Sequence, residues 1–317
     1  MASASVAAKA FCSTANLGPG FDTFGLALDR YGDLVRVQLT GGKGRVRVRA
    51  RGPYASKLPT RISENSAWPP AVEMLQQASS GKGLELVIEK RVPVGIGLGS
   101  SGATAAACVK ALDALLGLNL SADELVRVAS LGEAAASGSH HADNVAASLL
   151  GGFVIVYGKN SVRAVSVKPP SGLVVVVVTP EVSLPRKKTR LARFLVPKTI
   201  SVRDAVHNIG RASVIATGFA QGRIDMIGSA MEDEIAEPYR EKLVPCYRAV
   251  KKAAVEASAA GVAISGAGPS VVALVDRRRC DPQQVGRAMV REFSRHDVRS
   301  RFFVSSPAPG ATVLRRR

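Results

Sequence analysis

Hydrophobic and polar positions follow two different spacings along this chain, and the spacing changes from segment to segment. Strict alternation over residues 33–40 and 45–51, on either side of the turn GGKG, predicts the two strands of a β-hairpin. In the segments that follow, apolar residues recur every three to four positions or run together over the length of a strand. We predict helices near residues 67–79, 101–116 and 121–138, and strands near 83–90 and 151–158.

The second half of the chain alternates between helical and strand patterns in the same way. Its predicted elements are a strand at 173–180, helices near 201–221, 223–232, 245–259 and 282–294, a loop between two strands in GVAISGAGPSVVALVD, and a strand near 300–304. A four-stranded sheet backed by helices fits this half. We therefore expect an α/β protein of two domains, residues 1–165 and 166–317.

Composition places the chain among globular proteins. Of its 317 residues 46% are hydrophobic and only 5% are aromatic, and the longest apolar run, LVVVVV at 173–178, is too short to cross a bilayer. The first residues lack the basic start and apolar core of a secretory signal. The four cysteines lie far apart, without the spacing of a metal site. We therefore expect reduced thiols and a cytoplasmic protein.

The charge balance is unusual, because 43 Lys and Arg face only 25 Asp and Glu, a net charge of +18. Such a surface attracts anions of every kind, from nucleotides to RNA. Arg45, Arg47, Arg49 and Arg51 share one face of the second predicted strand. No aromatic residues interleave with them, which favours a solvated face over an RNA-binding stripe. We expect nonspecific nucleic-acid binding at most, and no membrane partner.

The glycine-rich stretch GIGLGSSGATAAA, residues 95–107, has three interpretations as an anion site. A Walker loop needs Gly-Lys-Ser/Thr, which is absent. A dinucleotide fold needs a βαβ unit, but no strand is predicted after the helix until about residue 152. The third interpretation is a loop at a helix N-terminus, where unsatisfied N–H groups hold phosphate and Ser100 and Ser101 offer hydroxyls to phosphate or Mg²⁺. Tight helix packing is the alternative explanation for the glycines and alanines.

Five motifs together resemble those of the GHMP kinases, a family named for galactokinase, homoserine kinase, mevalonate kinase and phosphomevalonate kinase. The motifs run in family order: STANLGPGFDTFGLALD at 13–29, PVGIGLGSSGA at 93–103, HADNVAASLLGGF at 141–153, EPYREKLVP at 237–245 and ISGAGPSVVAL at 264–274. NLGPGFD together with HxDN resembles the branch that acts on homoserine. The resemblance implies an amino-terminal domain like ribosomal protein S5 domain 2 and a ferredoxin-like carboxy-terminal domain. It also implies transfer of the ATP γ-phosphate to L-homoserine, on the route to threonine.

The resemblance assigns the nucleotide to the first half of the chain. The ATP site that it implies consists of Asn65, Lys90, Pro93, Gly95, Gly97, Leu98, Gly99, Ser100 and Ser101. Asn65 and Lys90 would lie near the adenine, and Ser101 with Glu133 would hold Mg²⁺. Glu133 stands alone among small residues of a predicted helix, where a carboxylate needs a partner; a salt bridge is the alternative to a metal ion.

The acceptor homoserine presents an ammonium, a carboxylate and a reactive hydroxyl. The substrate site that the resemblance implies consists of Asn16, Asp22, His141, Asn144, Thr189, Arg193, Arg240 and Gly266. Asp22 suits the ammonium, arginines bind carboxylates bidentately, and Asn16 and Asn144 can bond the hydroxyl end. We expect Asn16, Asn144 and Arg193 to act in catalysis. No general base emerges, because Asp143 can equally cap a turn.

Two alternative functions stay open. Another GHMP kinase, of mevalonate or shikimate type, would share the phosphate loop but act on a different small alcohol. A nucleic-acid-binding protein on the same fold would explain the positive charge, although every residue assigned to catalysis is present. The sequence leaves the oligomeric state open, with a homodimer as one candidate.

Overall fold

The computed structural model describes residues 5–41, 44–137, 142–159, 161–183 and 188–314. The first half contains β1 (Ser5–Asn16), β2 (Gly20–Thr40), β3 (Val46–Arg51), α1 (Trp68–Gln77), β4 (Gly83–Glu89), α2 (Ser100–Leu116), α3 (Ala122–Ser137), α4 (Asp143–Leu150), β5 (Phe153–Tyr157) and β6 (Arg163–Val167). The second half contains β7 (Leu173–Pro180), α5 (Lys188–Phe194), α6 (Val202–Gln221), α7 (Ile224–Ser229), α8 (Glu237–Arg240), α9 (Tyr247–Glu256), β8 (Gly261–Ile264), β9 (Val271–Asp276), α10 (Pro282–Arg295), β10 (Ser300–Ser305) and β11 (Thr312–Leu314).

The first sheet has the strand order β11-β1-β2-β4-β3, with β5 and β6 attached to the first part of β2. The predicted hairpin between residues 33–40 and 45–51 is wrong. β4 lies between β2 and β3, antiparallel to the former and parallel to the latter. The apolar strand β4 takes the interior position, and the arginine-rich β3 is left at the edge, where its outer face stays solvated. On that face Arg49 and Arg51 pair with Glu85 and Glu89, which neutralises part of the stripe.

Helices α1 to α4 cover the inner face of the first sheet and enclose its core. Small residues let α2 and α3 approach closely. A Cβ on Gly132 of α3 would lie 2.1 Å from the Ser66 carbonyl oxygen and 3.0 Å from Ala105 of α2. At the start of α3 the backbone N–H of Ser121 donates to the Glu124 carboxylate, and the Glu124 N–H donates back to the Ser121 hydroxyl.

The second sheet is antiparallel with the order β10-β7-β9-β8, the order of a ferredoxin-like fold. Its central strand β7 is buried along its whole length. Val174 and Val176 face a core formed with α9 and α10. Val175 and Val177 face the first half of the chain. Burial on both faces explains why the sequence of β7 reads as an unbroken apolar run.

A shared core joins the two halves of the chain. Phe153 of β5 stacks on Phe219 of α6 at 3.8 Å between ring centroids, and Phe24 of β2 meets Phe153 edge-on at 5.0 Å. After β10 the chain returns to the first sheet, where β11 pairs antiparallel with β1. Within the described residues no helix is both long and apolar enough to span a membrane.

Candidate active site

Four segments from distant parts of the chain meet beside the N-terminus of α2. They are the β1–β2 turn (13–22), the first glycine loop (93–99), the second glycine loop between β8 and β9 (265–270), and the pair of helices α5 and α8. The Ser265 hydroxyl donates to the Gly97 carbonyl oxygen at 2.6 Å and is hydrogen-bonded to the Thr14 hydroxyl at 2.9 Å. The Gly266 N–H donates to the Ala15 carbonyl. Hydrogen bonds between the segments therefore fix the geometry of the site.

The first glycine loop has a backbone that only glycine adopts readily. Gly95, Gly97 and Gly99 have φ values of 82°, 86° and 56°. A Cβ on Gly97 would lie 2.4 Å from the Ser265 carbonyl oxygen, so the second glycine loop also requires its absence. Gly99 is the N-cap of α2 and provides no side-chain cap, so the first N–H groups of the helix have no side-chain acceptor at that position. The geometry of this end of α2 therefore suits an anion.

The other predicted residues of this loop have mixed surroundings. Pro93 and Leu98 are buried, and Leu98 belongs to the core shared by the two halves. The Ser100 hydroxyl donates to the Val92 carbonyl at 3.0 Å. Ser101 is half-buried in the first turn of α2. Of the two serines, Ser100 is thus engaged with the backbone that leads into the loop.

A buried ion pair supports the end of the first glycine loop, where α2 begins. Lys90, 1% exposed, donates to the Asp33 carboxylate, to the Ser100 carbonyl at 2.7 Å and to the Thr104 hydroxyl at 2.8 Å. Asp33 also accepts the backbone N–H groups of residues 91 and 92, both at 2.9 Å. Burial lowers the pKa of Lys90, and the Asp33 carboxylate opposes that change. Three protein acceptors thus occupy the three N–H donors of Lys90, and a contact with adenine stays a prediction.

Asn144 lies directly against the first glycine loop. The Ser13 hydroxyl donates to its Oδ1 at 2.9 Å. A Cβ on Gly99 would lie 2.6 Å from that Oδ1 and 2.2 Å from Ser13 Oγ, so Asn144 and Ser13 require a glycine there. The neighbouring Asp143 is buried at the start of α4 and accepts the Asn144 backbone N–H at 2.7 Å. Asn144 is therefore held in place from both sides.

Charged residues gather beside the β1–β2 turn. Arg193 of α5 forms an ion pair with Asp22, whose φ of 56° is in the left-handed region. Arg240 of α8 donates to the Gly266 carbonyl at 3.0 Å and lies over the Phe21 ring, 4.8 Å from its centroid. Burial lowers the pKa of Arg240, and Asp22 opposes the change. Two guanidinium groups and one carboxylate thus face the same small region.

Asn16 connects this charged group to the second glycine loop. It ends β1 with a φ of 74° and donates from Nδ2 to the Gly266 carbonyl at 3.1 Å. Its Oδ1 accepts the Asp22 N–H at 3.3 Å. The Gly266 carbonyl therefore accepts from both Asn16 and Arg240, and the predicted substrate residues Asn16, Asp22, Arg193, Arg240 and Gly266 are brought together.

The remaining predicted residues differ in their surroundings. Asn65 is buried, and its Oδ1 caps its own turn by accepting the Ala67 N–H at 3.0 Å. Thr189 is exposed on α5, one turn before Arg193. Glu133 is buried on α3, and its charge, like that of Asp33, opposes the lowering of the Lys90 pKa. His141 lies outside the described residues.

Some residues at this site carry no prediction from the sequence. Lys188, the first residue of α5, is buried and donates to the carbonyl oxygens of Gly95 and Gly268, the former at 3.1 Å. Asp33 is separated by 57 residues from Lys90, so no local pattern connects them. Ser13 is the first residue of the motif at 13–29. Its hydroxyl is the one feature of the sequence that could have indicated a role for it.

Comparison with known proteins identifies the family. Residues 65–152 match the GHMP kinases N terminal domain, and residues 215–295 match the GHMP kinases C terminal. The chain therefore belongs to the GHMP kinases, as its five motifs predicted, and the predicted α/β fold class is confirmed with it. Members of this family are ATP-dependent phosphotransferases that act on alcohols.

Proteins that this chain resembles over nearly its whole length include homoserine kinases. The homoserine kinase of Thermoplasma acidophilum is 37% identical, over 97% of this chain and 96% of that protein. The homoserine kinase of Aeropyrum pernix is 38% identical, over 99% of this chain and 100% of that protein. The crystal structure of homoserine kinase from Cytophaga hutchinsonii superposes with a TM-score of 0.89 at 35% identity, over 99% of this chain and 98% of that one.

Proposed function

We propose that this protein transfers the γ-phosphate of ATP to the hydroxyl of L-homoserine, giving O-phospho-L-homoserine for threonine biosynthesis. The observation that carries the proposal is the group formed by Asp22, Arg193 and Arg240, next to the loop at the start of α2. The similarity to homoserine kinases over nearly the whole chain supports the same substrate.

The charges of this group suit a zwitterion. In the structure the Asp22 carboxylate and the Arg193 guanidinium neutralise each other. An α-amino acid can exchange with that pair, because its ammonium binds the carboxylate while its carboxylate binds the two guanidiniums. Mevalonate and shikimate have a carboxylate but no ammonium, so they offer no cation that could take the place of Arg193 at Asp22. The group therefore favours homoserine over the other small alcohols.

Phosphoryl transfer depends mainly on positioning and on neutralised charge. We propose that the loop and the first N–H groups of α2 hold the ATP phosphates, and that Asn16, Asn144 and Arg193 orient the hydroxyl toward the γ-phosphate. Asp143 is adjacent, but it accepts the Asn144 N–H and its charge acts on Arg240. We assign Asp143 to positioning and propose transfer without a carboxylate base.

We propose that Ser101 and Glu133 hold the Mg²⁺ of Mg-ATP. A hydroxyl and a carboxylate are oxygen donors of the kind that Mg²⁺ prefers. Glu133 is buried on α3 next to Gly132, where α3 and α2 are in close contact. Across the residues that the structure describes, no cluster of three or more His, Cys, Asp or Glu side chains forms a metal site, which fits an ion that is bound largely by ATP and water. The ion would neutralise phosphate charge during transfer.

The proposal is tested by ADP release from Mg-ATP with L-homoserine, mevalonate, shikimate or no acceptor. We expect release with homoserine alone. Asp22→Ala should raise KM for homoserine at least tenfold while KM for ATP changes little. Asp225→Ala is a matched control, because Asp225 pairs with Arg223 on an exposed surface. Turnover of mevalonate or shikimate instead of homoserine would reject homoserine as the acceptor but leave the proposed kinase activity intact.

We also propose a cytoplasmic homodimer that associates through α6. Val202, Val206 and Ile209 are 81%, 64% and 66% exposed and share one face of that helix, and Phe194 is 84% exposed. Sedimentation velocity should give twice the mass of one chain, and Val206→Asp should give a single chain that remains folded. A wild-type protein that sediments as one chain at all concentrations would reject the dimer.

A further inference from the structure

Lys188 is a buried lysine at the junction of the two glycine loops. It is 5% exposed, and its ammonium donates to the carbonyl oxygens of Gly95, in the first loop, and Gly268, in the second. Both acceptors are neutral. An ammonium has three donors, so one N–H of Lys188 has no acceptor among the residues that the structure describes.

Among the residues that the structure describes, no anionic group compensates the charge of Lys188. The two glycine loops, PVGIGLG and SGAGPS, carry no charged side chain. The charge that acts on the pKa of Lys188 is that of Arg240 on α8, which is also positive. Asp22 of the β1–β2 turn is already paired with Arg193 of α5. Within the described part of the chain, Lys188 is therefore a desolvated cation without a carboxylate, an arrangement that costs free energy.

The missing negative charge can come from the nucleotide. Lys188 binds a carbonyl of the loop that is proposed to hold the phosphates, at an exposed residue of that loop, Gly95. We propose that Lys188 is a positioning residue for the nucleotide: in its charged form it ties the two glycine loops together, and the bound polyphosphate stabilises that form. This inference rests on the proposed function, because it requires ATP at the first glycine loop.

This arrangement predicts that the Lys188 amine takes up a proton when the nucleotide binds. Burial, followed by the charge of Arg240, lowers the pKa of Lys188 to about 7. At pH 8 a group with that pKa is charged in only about one molecule in eleven. If the nucleotide restores a pKa near that of a free lysine, each binding event at pH 8 takes about 0.9 proton from the solvent to the Lys188 amine. At pH 6 the amine is already protonated, and the uptake through Lys188 falls to about 0.1.

The experiment is calorimetric titration of the full chain with ADP and Mg²⁺ at pH 6 and pH 8, in buffers of different ionisation enthalpy. Lys188→Arg is the reference variant, because an arginine stays charged in both states and subtracts the protons of the nucleotide itself. We expect the wild type to take up close to one proton more than Lys188→Arg at pH 8 and no more at pH 6. Lys251→Met is the matched control, because Lys251 pairs with Glu237, and it should behave as the wild type.

The outcomes separate this inference from the proposed function. Equal proton uptake in the wild type and Lys188→Arg at pH 8 overturns the role of Lys188, even where homoserine-dependent ADP release is normal. Failure of the wild type to bind ADP, together with no ADP release, overturns both. The protons of ADP with Mg²⁺ alone are measured at both pH values by titration without protein, so the wild-type comparison still tests the inference if a variant fails to fold.

Discussion

The buried pair of Lys90 and Asp33 allows a sharp test of what holds the glycine loop in place. Asp33 accepts from Lys90, from the Thr104 hydroxyl at 2.6 Å and from two backbone N–H groups. In Asp33→Asn the Lys90 ammonium keeps its neutral acceptors but loses the compensating negative charge. In Lys90→Met the Asp33 carboxylate keeps its neutral donors but loses the compensating positive charge. Removing one partner of a fully buried pair costs about 3–5 kcal/mol.

That cost is a large part of the total stability of a domain, which is about 5–15 kcal/mol. We expect each single variant to unfold at a clearly lower urea concentration than the wild type, as followed by circular dichroism. The double variant Asp33→Asn/Lys90→Met contains no unpaired buried charge, so its loss should be smaller than the sum of the two single losses by at least 2 kcal/mol. Strict additivity, or single variants within about 1 kcal/mol of the wild type, would refute the reasoning.

Three further predictions concern the loop, the metal and the pH. Gly99→Ala should fold but lose at least tenfold in kcat/KM, because the new Cβ would displace Asn144. In addition, a φ of 56° costs a non-glycine residue about 1–2 kcal/mol. Gly95→Ala, with open space around its Cβ, should lose less kcat/KM. Glu133→Gln should raise the Mg²⁺ concentration for half-maximal ADP release at least tenfold, and an unchanged requirement would remove Glu133 from the metal site. Because the folded pKa of Lys188, about 7, lies below its ordinary value of 10.5, the unfolded state binds more protons between these pH values. The free energy of unfolding of the wild type relative to Lys188→Met should therefore rise by about 2 kcal/mol from pH 7 to pH 9, as measured by urea unfolding, whereas a constant difference would contradict the lowered pKa.

The sequence predicted the elements with strong local signals. The helix predicted at 121–138 begins within one residue of α3, and the strand predicted at 173–180 has the bounds of β7. The pairing of β3 escaped prediction, because alternation defines a strand and its faces but carries no information about its neighbour. Only the burial of β4 between β2 and β3 decides that order.

The candidate site likewise contains residues that the sequence could identify and residues that only long-range contacts reveal. Asp22, Arg193 and Arg240 lie more than 40 residues apart in the sequence, and the resemblance to a family assigned them to the substrate site before any geometry was available. Lys188 and Asp33 belong to no motif. Their importance comes from burial and from long-range contacts with backbone carbonyl and N–H groups, which leave no trace in residue spacing.

The return of the chain to the first sheet has a consequence for how this protein can be divided. β11 covers the outer edge of β1, and a Cβ on Gly151 would lie 2.2 Å from the Gly310 nitrogen, so the last segment fits closely on the first half. A gene split at the proposed boundary between residues 165 and 166 would yield a first fragment with an open β-strand edge, exposed to aggregation. Co-expression of both fragments should rescue solubility by strand complementation, which makes this enzyme a candidate scaffold for a split reporter.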